Sequence, residues 1–277
     1  MVIKRRRQLC AYGAVSLLPA GCACGSGGDP RPASARAELG TTGRLRAAIN
    51  LGNPILATRA GEAGEPQGVS VDLAREAAKR LDLSLDLIVF ESAGKVVEAI
   101  KARQVDLAFV AIDPVRGADM DYTAPYVIIE GAYLVRGDSA LQHSEDVDRK
   151  GTRVVVGRGS AYDLYLTRAL HQASLVRAPT SPAVTDQFLA EGLDVAAGVK
   201  QQLQADIRRL AGHAPSLRLL PGRFMVIEQA MAVPKGNRAA QAWLSAFIED
   251  MKASGFVADR LNLHGIEGAT VAPPSRS

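Results

Sequence analysis

The sequence predicts an α/β protein built mainly on parallel sheet, and three observations carry that prediction. From Leu45 to Ile112, apolar strand-like runs alternate with helical patterns of ~10 residues, an order that folds as parallel strands with right-handed crossovers. A second alternation of strands and helices runs from Arg153 to Val199, with no internal sequence repeat. Two further apolar runs, Ile128 to Val135 and Met225 to Val233, flank that second unit, the first interrupted by Glu130 and Gly131 and the second by Glu228 and Gln229.

Leu45 to Leu51 is the first strand, ended by Gly52-Asn53-Pro54. After a turn over Gly64 to Gly68, a helix starts at Ser70 or Asp72 and runs through Leu81. Its apolar face is Val71, Leu73, Ala74, Ala77, Ala78 and Leu81. Leu85 to Phe90 is a strand, and Lys95 to Arg103 a helix. The strand Val105 to Ile112 is apolar except at Asp106, as suits a strand buried on both faces. Asp113-Pro114 breaks it, because proline has no N–H for the ladder. Arg116 follows, a guanidinium at the C-terminal end of a parallel strand, where open α/β sheets hold their ligands. A short segment, Asp121 to Tyr126, comes after the next turn.

In the second unit the strand Arg153 to Gly157 feeds Arg158-Gly159-Ser160 and a helix over Ala161 to His171. Leu175 to Ala178 is a strand, Ala183 to Glu191 a helix, Leu193 to Val199 a strand and Lys200 to Leu210 a polar helix. The last predicted helix, Ala239 to Ser254, puts Trp243, Leu244, Phe247, Ile248 and Met251 on one face and stops at Gly255. Residues 269–277 read as a loose tail.

The formal net charge of +4 resides in the leader, since Lys4 to Arg7 supply four positive charges and the body is neutral without them. Nothing in that body argues for nucleic acid as a partner. Residues 1–24 read as a signal peptide, with a basic start, an apolar run over Leu9 to Ala20 and small residues after it. That run is too short to span a membrane. Cys10, Cys22 and Cys24 all lie in or beside this segment, which excludes a disulfide scaffold and a cysteine metal site in the body. Leu18-Pro19-Ala20-Gly21-Cys22 resembles a lipobox, which implies acylation of Cys22. Arg6-Arg7 also faintly resembles a twin-arginine signal. Residues 25–42 have the Gly-, Pro-, Ser- and Ala-rich composition of a flexible tether.

The run VDLA…IDPVR…MDYTAPY, Val105 to Tyr126, resembles the signature of the bacterial extracellular solute-binding proteins of family 3. GRLRAAINLG, QGVSVDLAREAAKRL, GAYLVRGDS, VVVGRGSAYD and QAMAVPKGN extend the resemblance over roughly Gly43 to Gly265. It implies the two-lobed periplasmic-binding-protein type II fold, each lobe a mainly parallel sheet flanked by helices. Lobe I would take residues 43–131 and 229–268, and lobe II residues 132–228, with Ile128 to Val135 and Met225 to Val233 crossing between them. It also implies capture of a small amino acid or related organic acid for an ABC importer permease. The protein would be a monomer in the periplasm or at the cell surface, held to the membrane by lipid alone.

By the same resemblance Arg116 grips the solute's carboxylate, a bidentate pairing that suits guanidinium geometry. Ser160 and Ala161, opening a helix behind Gly159, meet that carboxylate from the other lobe with backbone N–H groups. On the residues alone Arg116 reads as a turn arginine paired with Asp119 or Asp121, and Ser160 as a helix cap, a role compatible with ligand contact through the backbone.

The sequence also departs from the family pattern. The loop between Asp106 and Arg116 is shorter than the family's and lacks its hydroxyls. Glu91 to Gly94 stands where an aromatic should precede the second helix. Gly198-Val199-Lys200 replaces the acid that should hold an α-amino group. Either another acid takes over, Asp113 or Glu130 or Glu228, or the solute has no amino group. Glu130 and Glu228 are also readable as hinge residues paired with backbone or arginine.

No metal, cofactor or hydrolase motif stands in the right context, and the four histidines are scattered. A cyclohexadienyl dehydratase uses a similar scaffold, with Asp113 or Glu130 as the candidate acid, and sensor domains share it too.

Overall fold

In the computed structural model, residues 32–61, 63–212 and 215–275 are described. The chain opens with α1 (Pro32–Leu39), β1 (Arg44–Asn50), a short ribbon of β2 (Thr58–Arg59) and β3 (Pro66–Gln67), and α2 (Val69–Arg80). It continues through β4 (Ser84–Phe90), α3 (Ala93–Lys101) and β5 (Leu107–Ala111) to the long strand β6 (Met120–Arg136). Then come β7 (Arg153–Gly157), α4 (Ala161–Ala169), β8 (Ser174–Ala178), α5 (Val184–Ala190), β9 (Val195–Val199), α6 (Lys200–Leu210) and β10 (Leu217–Leu219). β11 (Met225–Pro234), α7 (Arg238–Ala253), α8 (Phe256–Leu263) and β12 (Thr270–Val271) finish it.

The hydrogen-bonded strand order is β4-β1-β5-β11-β6-β9-β7-β8. Parallel pairing joins β1 to β4 and β5 on one side, and β7 to β8 and β9 on the other. Between these two parallel groups run β11 and β6, antiparallel to each other and to their outer neighbours. Each lobe is therefore mainly parallel and is flanked by helices, as the resemblance implies. β5 and β9, LAFVA and VAAGV, are buried at every position, so neither shows the alternation of a half-exposed strand.

The 17 residues of β6 reach ~55 Å at the usual rise per residue, too far for one lobe. Its first half pairs with β11, and from Gly131 to Leu134 it pairs with β9. The predicted short segment Asp121 to Tyr126 is thus the start of this strand rather than a separate piece. A Cβ on Gly131 would lie 2.6 Å from Tyr162 and 2.9 Å from Phe224, so glycine lets these rings pack against the crossing strand. Phe224 also stacks on Tyr133, with centroids 4.4 Å apart.

Two expectations are corrected. Residues Pro32–Leu39 of the expected tether form a helix whose Ala35 and Leu39 are fully buried. Those two sit one turn apart and pack towards α7, while Glu38 accepts the Ala240 N–H at 2.8 Å in the first turn of α7. The composition looked like a linker because one leucine and one alanine are enough for so short a face. The expected loose tail is docked as well: Thr270 and Val271 pair with Ile128 and Val127, and Ala272 is buried with its N–H on the Tyr126 carbonyl. Gly255 takes the left-handed stop at φ +80° and leads directly into α8, an element the sequence reading left out. No helix among the described residues is long and apolar enough to cross a membrane. The expected signal peptide and Cys22 lie outside the described residues.

Candidate functional site

After β5 the chain leaves the sheet at Asp113-Pro114, and Asp113 orders the loop. Its carboxylate accepts the Val115 N–H at 2.8 Å and its carbonyl the Gly117 N–H at 3.0 Å, the turn geometry that a short acidic side chain favours. Arg116 then begins a single 3₁₀ turn and points inward, 3% exposed. Its Nη1 donates to the Ala111 carbonyl at 3.1 Å and its Nη2 to the Gly159 carbonyl of the other lobe at 2.8 Å. Both acceptors are neutral. Burial pulls the guanidinium below its ordinary value, opposed by Tyr122 and then Asp113. An arginine remains charged through such a shift.

The facing wall is the first turn of α4. Gly159 holds φ +67°, and a Cβ there would lie 3.2 Å from the Cα of Gly94 at the start of α3. The two lobes thus touch backbone to backbone beside Arg116. Gly94 presents no side chain to that contact.

The space between the lobes is about 30 Å³, room for a water or two. Polar groups on its wall include Asn50, Asn53, Arg116, Ser160, Tyr162 and Gln229. No aspartate or glutamate lines it. Asn53 Oδ1 and the Tyr162 hydroxyl are buried without a hydrogen-bond partner, on residues 7% and 3% exposed. Burial also pushes the Tyr162 hydroxyl well above the usual tyrosine value. Gln229 sits where the β11–β6 register shifts, a bulge of the kind that re-aims a side chain.

Arg116, Ser160 and Ala161 line this space, whereas Asp113 and Glu130 do not. Ser160 Oγ accepts the Asp163 N–H at 3.1 Å and caps α4. The Gly159 N–H is taken by the Asp163 carboxylate at 2.9 Å, and Asp163 is paired with Arg177. That leaves Ala161 and Tyr162, whose amides lie in the first helical turn and have no acceptor within the helix by position. Asp113 is 4% exposed and pairs across the lobes with Arg168 at 2.9 Å. Glu130 pairs with Lys200 at 2.8 Å and Arg223 at 2.7 Å, which hold its carboxyl below the usual glutamate range. Lys200 stands where the family pattern has its acid.

Asn50, Asn53, Tyr162 and Gln229 were missed as wall residues. Asn50 and Asn53 could have been found from their place at the carboxyl end of a parallel strand. Tyr162 reads as an ordinary core residue within a helix pattern, and only the lobe-to-lobe packing turns it into the cleft. A larger, open depression of about 510 Å³ lies away from the cleft. There Arg136 is engaged by the Leu193 carbonyl and the Phe188 ring, and Arg149 by Asp146. No cluster of side chains suited to a metal ion occurs among the described residues.

The chain matches the bacterial extracellular solute-binding proteins, family 3, over residues 45–262. A comparison with functionally curated proteins found no match. Among solved structures it is similar to the amino acid ABC transporter substrate-binding protein AbpA from Streptococcus pneumoniae bound to L-arginine. The TM-score is 0.69 at 19% identity, covering 82% of this chain and 96% of that one. It is also similar to an ancestral amino-acid-binding protein described as a precursor of cyclohexadienyl dehydratase, with TM-score 0.68, 19% identity and coverage of 82% and 97%. A histidine kinase sensor domain with similarity to periplasmic binding proteins matches at TM-score 0.70 and 20% identity, covering 83% and 98%. These likenesses show a fold shared by binding proteins, an enzyme precursor and a sensor. With the match spanning most of its length, the chain belongs to family 3 of the bacterial extracellular solute-binding proteins.

Proposed function

We propose that the protein captures a small polar solute bearing a carboxylate, an amino acid or a related organic acid, and delivers it to an ABC importer. The observation that carries this reading is the buried Arg116 guanidinium, held by two neutral carbonyls. A carboxylate entering with the lobes apart would replace the Gly159 carbonyl and give Arg116 a charge-assisted, bidentate partner. Closure about β6 and β11 would then enclose the solute by a hinge motion, with the first amides of α4 as further donors.

The engagement of Asp113, Asp163 and Glu130 in ion pairs supports binding rather than turnover. Export by residues 1–24, a lipid anchor at Cys22, a monomeric state and a permease partner belong to the same reading and rest on sequence and family.

Thermal melting against amino acids and simple carboxylates tests it. A solute at 100 times its Kd adds ~2.7 kcal/mol to stability, and Arg116→Gln should abolish the shift. If no carboxylate raises the melting temperature, the reading fails.

A further inference from the structure

Resting on the reading of the cleft as a carboxylate site, we propose that its solute is a 2-hydroxy carboxylate and that the matching α-amino acid is rejected. The argument is one of charge. An α-amino acid brings an ammonium beside its carboxylate, and a buried ammonium needs a carboxylate to offset its lost hydration. The cavity wall has none. The acids nearest the cleft are already engaged: Asp113 by Arg168, Asp163 by Arg177, and Glu130 by both Lys200 and Arg223. Glu228 is exposed and does not line the cavity. Arg116 is a buried cation, and one carboxylate on the solute neutralises it.

The neutral groups on the wall point the same way. Asn53 Oδ1 is a buried acceptor without a donor, and the Tyr162 hydroxyl is buried without any partner. A carbon-bound hydroxyl next to a carboxylate donates to the first and exchanges a hydrogen bond with the second while adding no charge. Asn50 is less available, because its Oδ1 already accepts the Gly52 N–H at 3.0 Å. The site therefore offers donors for one carboxylate and an acceptor for one neutral hydroxyl.

Titration calorimetry on the purified protein with matched pairs tests this. Glycolate, L-lactate, 2-hydroxyisovalerate and phenyllactate are run beside glycine, L-alanine, L-valine and L-phenylalanine. At least one hydroxy acid should bind roughly 100-fold tighter than its amino twin, the scale set by an unpaired buried charge. Asn53→Asp supplies the absent carboxylate almost isosterically and should reverse the preference towards the amine. If an amino acid binds as well as its hydroxy twin and Arg116→Gln abolishes both, the inference is overturned while the carboxylate reading survives. If neither class binds, both are overturned.

Discussion

Asp113 Oδ2 and Arg168 Nη2 meet at 2.9 Å across the mouth of the cleft, joining the loop after β5 to helix α4 of the other lobe. The carboxylate is buried and the guanidinium 44% exposed. Together with the Arg116–Gly159 bond, this pair ties the lobes in the closed arrangement. Arg168→Ala leaves the buried carboxylate with the Val115 N–H and should cost on the order of 1 kcal/mol, a partly exposed pair being worth little more. Because the bond spans the lobes, the loss should appear as opening. Small-angle scattering should give a larger radius of gyration, and adding Asp113→Asn should do little further harm. An unchanged radius would show that the pair does not hold the lobes together.

Gly159 and Gly94 touch, yet their substitutions should differ. Gly159→Ala places a Cβ in the left-handed region and 3.2 Å from the Gly94 Cα. It should lower stability by ~1–2 kcal/mol and weaken solute binding by hindering closure. Gly94→Ala meets nothing nearer than 3.7 Å and lies in the first turn of a helix, where alanine is favoured by up to ~1 kcal/mol. Urea melts of the two variants decide the matter, and equal losses would contradict the close approach.

Glu130 should contribute to stability in a pH-dependent way. Lys200 and then Arg223 hold its carboxyl below the ordinary value of 4.5. A depressed value means the contribution is fully present above that ordinary value and fades as pH falls through the folded one. Its magnitude should stay under ~1 kcal/mol, since all three side chains are partly exposed. Melting curves of Glu130→Gln and the parent should therefore differ at pH 7 and converge in acid, once pH has fallen below the folded value. A gap that persists in acid would assign the effect to packing.

Leu39 measures how firmly α1 belongs to the fold. It is fully buried in the core shared with α7, so Leu39→Ala should cost ~2–5 kcal/mol in a denaturant titration. A loss below ~0.5 kcal/mol would place α1 outside the cooperative unit.

Sequence by itself determined the α/β class, the order of the main strands and helices, and the position of Arg116 beyond a strand end. It could do so because those signals are local: apolar period, the proline that breaks β5 and the glycine that ends α7 are each legible within a few residues. Arg153–Gly157 and Lys200–Leu210 have the predicted bounds for that reason. What the tertiary structure alone decided is who partners whom. Asp113 lies 55 residues from Arg168, and Glu130 lies 70 from Lys200 and 93 from Arg223. No local pattern records such pairings. The wall of the cleft is likewise made by residues from β1, β5, α4 and β11, of which Tyr162 looks like core when read in its own segment. Short docked pieces such as α1 and β12 escaped because their burial comes from distant partners and not from their own composition. The strands follow from local chemistry; the charge balance of the site exists only once the lobes have met.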